Sequence, residues 1–239
     1  MSRNFLTILA AGGACLCSAP AFAQTPMGGG FTISGGVTGT TDYRFRGTSQ
    51  SSGDPALQGT VTVDHASGLY GGVFASTLSD AIRPGEFEID AFVGYTREVA
   101  SGTDVDVGVQ FYGFPANDGL DDASYFEPYA SVRHTLGPVT AEVGAAYAWE
   151  QAGLGGNDSL YVYGDLRGGV PFTPLTITSR VGYTSGPGRF SPYSDYLDWR
   201  IGAQYKRGPF TISLDYVDTD LPELANADGT LVASLRFGF

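Results

Sequence analysis

The sequence predicts a closed transmembrane β-barrel of about twelve antiparallel strands. From residue 31 to the end of the chain, apolar and polar side chains alternate with a period of two, the period of a β-strand. Short turns follow the even-numbered segments and longer polar loops follow the odd-numbered ones. A membrane barrel has this arrangement, because its periplasmic turns are short and its outer loops are longer. An even number of strands also leaves both termini on the periplasmic side.

Composition supports the same class. The chain has 35 Gly, 14 Tyr and 15 Phe, and charged residues make up only 16%. Such a composition suits an all-β chain and does not suit disorder. A secreted β-sandwich or an open sheet is the alternative, although neither needs the odd-even rule for connections.

The last segment, Thr230 to Phe239, alternates most clearly. Apolar Phe237, Leu235 and Leu231 fall on one side, and about ten residues are enough for a tilted strand to cross a membrane. The terminal aromatic resembles the closing strand of bacterial outer-membrane barrels, which the barrel-assembly machinery reads. The sequence therefore predicts Phe239 to be an assembly signal.

Residues 1–23 have the pattern of a cleaved secretory signal peptide. Arg3 supplies the positive end, Phe5 to Cys17 form the apolar run, and Ala21-Phe22-Ala23 is an A-x-A site, so cleavage is predicted between Ala23 and Gln24. The apolar run is too short for a membrane anchor. Because Cys15 and Cys17 are the only cysteines, the mature chain is expected to have no disulfide and no cysteine-based metal site.

Residues 24–30 form a short periplasmic lead-in, and 31–239 form the barrel. The alternation predicts a first strand that runs from Phe31 to Arg46, whereas the two faces of segment 69–77 cannot be assigned. Outward aromatic residues near strand ends are expected to form interfacial girdles. They are Tyr43, Phe45, Trp149, Tyr183, Tyr205, Phe210 and Phe237.

Inward positions carry most of the charge. The chain has a net charge of −12, which becomes −13 without Arg3 of the leader and argues against a nucleic-acid partner. Acidic residues on strands two to seven predict one wall of the lumen: Asp64, Glu86, Glu88, Asp90, Asp104, Asp106, Glu127, Glu142 and Glu150. Basic residues on strand one and strands eight to twelve predict the opposite wall: Arg44, Arg46, Arg167, Arg180, Arg200, Lys206 and Arg236. The alternative is salt-bridging between adjacent strands that fills the lumen.

Strand number also limits the pore. Twelve strands spaced about 4.8 Å and tilted about 40° give a backbone diameter of about 24 Å. Because side chains take much of this width, the pore is expected to pass ions and small polar molecules. Inward glycines either leave room in the lumen or relieve strain where strands curve. They are Gly36, Gly108, Gly144, Gly182 and Gly202.

Three segments resemble the TorF family, which is described as porin-like mainly from its barrel character. They are DYRFRGTSQSSGDPALQG (42–59), DYLDWRIGAQY (195–205) and LDYVDTDL (214–221). The resemblance spans essentially the mature chain and implies a Gram-negative outer-membrane location. It leaves the solute open.

Catalysis is not expected. A barrel lipase needs a Ser-His pair with an orienting group, and neither His65 nor His134 has an evident acidic or amide partner. Acidic loop residues have the ligand chemistry for a divalent cation, although a solvated negative surface is their commoner meaning. They are Asp118, Asp121, Asp122, Asp218, Asp220 and Glu223. No metal site or cofactor is predicted.

The sequence thus predicts an outer-membrane channel for passive diffusion, with membrane lipid, the barrel-assembly machinery and small polar solutes or ions as partners. The alternative is an adhesin, receptor or structural barrel that acts through acidic extracellular loops.

The leader generates the first testable prediction. Mass spectrometry of the protein isolated from its native membrane should show an N-terminus at Gln24, because the A-x-A site ends at Ala23. An intact N-terminal Met1 on the membrane protein would contradict it.

Overall fold

The computed structural model describes residues 25–79, 86–116, 119–120, 123–185, 195–221 and 226–239. The predicted leader, with Ala23 and Gln24, lies outside the described residues.

Twelve long strands are present, and their inward side chains are largely buried. They are β1 (Phe31–Thr40), β2 (Ala56–His65), β3 (Leu69–Thr77), β4 (Phe87–Ala100), β5 (Thr103–Tyr112), β6 (Tyr125–Leu136), β7 (Val139–Gln151), β8 (Asn157–Gly169), β9 (Leu175–Ser185), β10 (Tyr196–Arg207), β11 (Phe210–Thr219) and β12 (Thr230–Gly238). The shorter elements are strands Thr25–Gly28, Arg44–Phe45, Thr48–Ser49, Pro115–Ala116 and Gly119–Leu120, and a 3₁₀ turn at Ala152–Leu154. Among the described residues, no helix has the length and apolar character needed to span a membrane.

Each long strand pairs antiparallel with the next, and β12 pairs with β1, so the sheet closes on itself. The predicted fold class, a twelve-stranded antiparallel barrel, is confirmed. Turns 66–68, 101–102, 137–138, 170–174 and 208–209 lie at one end, here called the turn end, together with Thr25 and Phe239. The connections after the odd-numbered strands lie at the other, the loop end.

The outward face is apolar. Outward residues such as Val143, Ile201 and Leu235 are more than half exposed, whereas their polar strand neighbours face inward. The structure also assigns β3, where Leu69 and Val73 are exposed and the rings at positions 70 and 74 are buried. Closure pairs the backbone groups along this face, as hydrocarbon requires.

The predicted extent of the first strand is wrong. β1 ends at Thr40, and Tyr43 and Phe45 are buried inside the barrel instead of joining an outer girdle. The alternation of apolar and polar residues continues beyond the roughly ten residues that a strand needs to span a membrane. In that extra part of the sequence, the alternation no longer indicates a strand. Arg46 and Gly47, with φ of 47° and 84°, form the turn between the short paired strands Arg44–Phe45 and Thr48–Ser49. The other five predicted girdle residues are exposed: Trp149, Tyr183, Tyr205, Phe210 and Phe237.

The seam between the first and last strands is completed by both ends of the described chain. β12 pairs only with the part of β1 from Gly36 to Thr40. Phe239 continues the ladder, since Gly35 N donates to its carbonyl at 2.9 Å and its own N donates to Gly35 O at 3.1 Å. The short strand Thr25–Gly28 then pairs with the remaining edge of β1. The Phe239 ring lies over Gly35, where a Cβ would come within 2.5 Å of it.

Phe239→Ala is expected to assemble poorly in cells yet refold nearly normally in detergent. A half-exposed ring contributes at most about 1.5 to 3 kcal/mol, and the main-chain bonds to Gly35 remain. Heat-modifiable gel mobility measures the folded fraction in both settings. Phe237→Ala is the matched control, because Phe237 and Phe239 are each 45% exposed. Equal losses in cells and in detergent would contradict an assembly role.

Candidate functional site: the barrel lumen

The interior of the barrel is polar. Hydroxyl, amide and carboxylate side chains from most strands are buried there, beside smaller clusters of buried aromatic and aliphatic side chains. Examples are Ser34, Thr60, Thr62, Asp90, Gln110, Ser131, Thr178 and Ser213. An interior of this kind is typical of barrels that hold water rather than of packed β-proteins.

The connection between β1 and β2 enters this interior. We call residues 41–55 the lumen loop. Between Asp42 and Ser51 every residue is buried except Arg44, which is half-buried. Two turns shape the segment, at Arg46–Gly47 and at Ser52–Gly53, and all four residues have positive φ.

Asp42 organises the lumen loop from within. Its carboxylate accepts hydrogen bonds from Ser49 Oγ at 2.5 Å and Ser51 Oγ at 3.1 Å, and it pairs with Arg44 Nε at 2.5 Å. Ser51 Oγ in turn accepts the backbone N–H of Tyr43. The loop therefore has a folded shape of its own.

Arg46 joins the lumen loop to the barrel wall. Its Nη2 lies 2.6 Å from Glu127 Oε2 on β6, and the two side chains are 1% and 2% exposed. The guanidinium also lies 4.2 Å from the ring centre of Tyr161 on β8. Burial by itself would lower the pKa of Arg46, but the facing Glu127 carboxylate, together with the Tyr112 and Tyr125 hydroxyl groups, outweighs burial and holds this pKa above its ordinary value. Arg46 therefore stays charged and bridges the loop to two strands.

Aromatic contacts anchor the same loop to the wall on the β3–β7 side. The Phe45 ring meets Tyr112 of β5 edge-on at 5.7 Å, and the Tyr43 ring lies 6.2 Å from Phe74 of β3. Phe45 belongs to a buried cluster that covers the loop end: Tyr112, Phe114, Ala123, Tyr125, Ala148 and Leu154.

Contacts on the far side complete the span. Gly47 lies against Thr219 of β11 and Asp198 of β10, so closely that an added Cβ would clash with the Thr219 side chain and come within 3.0 Å of Asp198 Cβ. Ser49 N donates to Asn226 O at 2.7 Å in the connection before β12. The lumen loop thus crosses the barrel from β6 to β10 and β11.

The structure places the predicted charged residues in three settings. Inside the barrel, Glu88, Asp90, Asp106 and Glu127 are buried, and Asp64, Asp104, Glu142, Arg167, Arg180, Arg200, Lys206 and Arg236 are half-buried. Glu86 precedes β4 and Glu150 lies at a register shift near the end of β7, so both are exposed at the loop end instead of facing inward. Arg44 and Arg46 belong to the lumen loop and not to a strand of the barrel wall.

Ion pairs link neighbouring strands across the walls. Arg180 Nη2 lies 2.5 Å from Asp165 Oδ2, Arg133 Nε lies 3.3 Å from Glu142 Oε2, and the Arg200–Asp215 pair is 3.8 Å apart. Acidic groups still prevail on β2 to β7 and basic groups on β8 to β12. Local pairing and a charge difference between the two sides therefore coexist.

Tyrosine rings fill the space above several inward glycines. Tyr129 lies opposite Gly108 and Tyr163 opposite Gly144. A Cβ at Gly144 would come within 2.5 Å of the Tyr163 ring, whose hydroxyl donates to Glu142 at 2.9 Å. Glycine lets these rings lie flat against the wall, which keeps them out of the central lumen.

A cavity of about 50 Å³ remains between the lumen loop and the wall. It is lined by Thr38, Thr40, Asp42, Tyr43, Arg44, Gln58, Arg200, Asp215, Val217, Val232 and Ser234. This volume holds a few waters and no larger solute.

The remaining candidate residues have local partners. His65 bonds Ser67 Oγ, and His134 bonds Thr103 Oγ1, each at 2.8 Å on the turn end. Asp218 accepts from the Tyr216 hydroxyl and Asp220 from the backbone N–H of residue 197. Asp118, Asp121, Asp122 and Glu223 lie outside the described residues. Within the described ranges, no three His, Asp or Glu side chains are grouped as metal ligands.

The lumen loop is the feature that the sequence pattern hides. Residues 41–46 continue the alternation of β1, so they resemble strand. Two signals oppose that interpretation: a strand of sixteen residues, Phe31 to Arg46, exceeds what a membrane crossing needs, and Gly47 follows directly. The partner of Arg46 is 81 residues away in sequence and has no local signal.

The fold and lumen define a closed β-barrel with a polar interior, and comparison with known proteins places the chain in a family. It belongs to the Gcw_chp family, described as bacterial proteins of unknown function, whose model matches residues 23–235. No protein of curated function matches the sequence.

Solved structures of outer-membrane channels share the fold. The KdgM porin, in complex with disordered oligogalacturonate, superposes with a TM-score of 0.57 at 9% identity over 86% of this chain and 96% of its own. The NanC porin gives 0.57 at 14% identity over 85% and 97%. The COG4313 outer-membrane channel from Pseudomonas putida F1 gives 0.50 at 15% identity over 91% and 97%. At these identities the similarity concerns the fold.

Gly144→Val is expected to destabilise the folded barrel by about 1 to 3 kcal/mol, because the new side chain drives the Tyr163 ring away from the wall. Urea unfolding of the detergent-refolded protein measures the loss. Gly164→Val is the control, since a Cβ added at Gly164 would have no atom within 4 Å. Similar destabilisation by both variants would contradict the packing role of Gly144.

Proposed function

We propose that this protein is a porin-like outer-membrane channel through which ions and small polar solutes diffuse passively. Support comes from the closed barrel, its polar and charged interior, and its structural similarity to outer-membrane channels. The proposal includes export by the predicted signal peptide, periplasmic termini at the turn end, and the finer resemblance to the TorF family. It also includes recognition of Phe239 by the barrel-assembly machinery.

The observation that carries the proposal is the ring of charge in the turn-end half of the lumen. Asp64 and Asp104 lie on one side, and Arg167, Lys206 and Arg236 lie on the other, all half-buried. Side chains in this state still contact water, so the turn-end half is solvated. Charged groups on opposite walls then set which ions enter.

Two opposed walls produce a field across the lumen. Coulomb interactions are stronger in a narrow, partly dehydrated channel than in bulk water, so a dipolar or zwitterionic solute can orient between the walls. Acidic groups outnumber basic ones on the walls. The channel is therefore expected to prefer cations mildly.

Neutralising one wall should shift ion selectivity in a predictable direction. Asp64→Asn with Asp104→Asn should move the reversal potential toward anion preference, and Arg167→Gln with Lys206→Gln should move it toward cations. Planar bilayers under a salt gradient measure both. Glu150→Gln with Asp158→Asn is the control, because these carboxylates are exposed at the loop end and the change in net charge is the same as for the acidic pair.

Reversal potentials that move equally in the lumen variants and the control would contradict the two-wall arrangement. Graded uncharged solutes added to the same bilayers report the size limit, which should correspond to small polar molecules.

A further inference from the structure

We propose that the lumen loop is the constriction of this channel and that the Arg46–Glu127 ion pair is the latch that holds it across the pore. Release of the latch opens a wider passage. The inference deepens the proposed function and rests on it, because a constriction matters only in a barrel that conducts.

The first support is the span of the loop. Arg46 reaches Glu127 on β6 and Tyr161 on β8, whereas the adjacent Gly47 lies against Asp198 and Thr219 on β10 and β11. Opposite walls are thus joined through two consecutive residues. Where Asp42, Tyr43 and Arg44 of the same loop face β1, β11 and β12, the cavity of about 50 Å³ admits little more than water.

The second support is the kind of contact that holds the lumen loop in the barrel. The barrel strands are held by continuous ladders of backbone hydrogen bonds, whereas the backbone bonds between the lumen loop and other connections are isolated. Examples are Ser79 N to Gln50 O at 3.0 Å and Ser49 N to Asn226 O at 2.7 Å. A segment held by side chains and a few hydrogen bonds opens at a lower free energy than the sheet around it.

The third support is backbone strain at the latch itself. Arg46 has a φ of 47°, a left-handed conformation that L-residues other than Asn and Asp rarely adopt. A strained backbone conformation persists only where contacts with the surrounding structure hold the residue in it. Such conformations are common at ligand-binding sites and at switch regions of proteins. The ion pair with Glu127 and the contact with Tyr161 hold Arg46 in this conformation.

The wall offers a closely matched pair for comparison. Arg180 pairs with Asp165 and lies 4.4 Å from the Tyr163 ring centre, whereas Arg46 pairs with Glu127 and lies 4.2 Å from the Tyr161 ring centre. Both arginines are in the lumen and have the same volume. Arg180 and Asp165, however, lie directly opposite each other on neighbouring strands, so their pair holds no loop in place.

The test compares Arg46→Ala/Glu127→Gln with Arg180→Ala/Asp165→Asn in planar bilayers. Each double variant removes a pair without leaving a lone buried carboxylate. Single-channel conductance should rise roughly two-fold or more in the first variant, because conductance follows the open cross-section, and should change little in the second. Equal increases in both would overturn the latch, since loss of side-chain volume would then explain them.

A second readout follows the loop without relying on conduction. Ser49 is 1% exposed, and Cys15 and Cys17 are the only natural cysteines, so Ser49→Cys in a background with both replaced by serine gives a single thiol. A water-soluble methanethiosulfonate should label this thiol about ten times faster when the Arg46–Glu127 pair is removed, as expected for local opening. Removal of the Arg180–Asp165 pair should leave the labelling rate unchanged.

A disulfide provides the converse experiment. Ser52 Oγ and Ser79 Oγ lie 3.0 Å apart, so Ser52→Cys with Ser79→Cys in the same cysteine-free background can tie the lumen loop to the connection after β3. When the latch is also removed, the oxidised protein should conduct like the wild type and reduction should restore the larger conductance. Persistence of the larger conductance with the disulfide formed would overturn the proposal.

The two readouts separate the possible failures. Faster labelling of the thiol at position 49 with no current from any variant would contradict the channel function, and the lumen loop would then be a releasable plug in a barrel that does not conduct. Current from the wild type with unchanged labelling and unchanged conductance in the latch variant would contradict the latch and leave the channel function standing.

Discussion

A backbone amide or carbonyl in hydrocarbon has no water to bond, and this constraint governs the whole structure. Each of the twelve strands satisfies it by pairing on both sides, so the sheet must close. The seam shows how strictly the rule is met. β12 is too short to cover β1, and Phe239 and the strand Thr25–Gly28 pair with the edge that would otherwise remain open.

Closure creates an interior that a barrel of this size cannot fill with strand side chains alone. Polar residues, tyrosine rings lying over glycines, and the lumen loop share that space. They differ in how firmly they are held. The hydrogen-bonded strands hold the wall residues in place, whereas the lumen loop is held by an ion pair, a few aromatic contacts and isolated hydrogen bonds. If any interior part moves while the barrel stays folded, it is this loop.

Charge inside the barrel serves two purposes at once. Pairs such as Arg180–Asp165 join neighbouring strands and compensate the desolvation of their members. The half-buried groups near the turn end, among them Asp64 and Lys206, keep contact with water, and in the proposed channel they define the field that a solute meets. The interior is therefore neither a packed core nor a featureless pore.

The sequence by itself determined the fold class, the strand number and the face of nearly every strand. These follow from local rules: alternation with a period of two, turn residues at strand ends, and the length needed to cross a membrane. The prediction from sequence was wrong where the alternation of apolar and polar residues continued beyond the length that spans the membrane. Tyr43, Phe45 and Arg46 continue the alternation of β1, yet they lie in the lumen, because beyond the membrane-spanning length nothing requires the chain to remain a strand.

Only the tertiary structure decided what occupies the lumen. The partners of Arg46 lie on β6 and β8, and β3 was assigned only by seeing that Tyr70 and Phe74 are inside. Glu86 and Glu150 do not belong to the predicted acidic wall. Glu86 lies before the start of β4, and Glu150 lies where the register of β7 shifts, both at the loop end. Contacts between residues that are distant in sequence produce no periodicity in the sequence. The period-two alternation therefore predicts the strands of the barrel wall but not the lumen loop that crosses the interior.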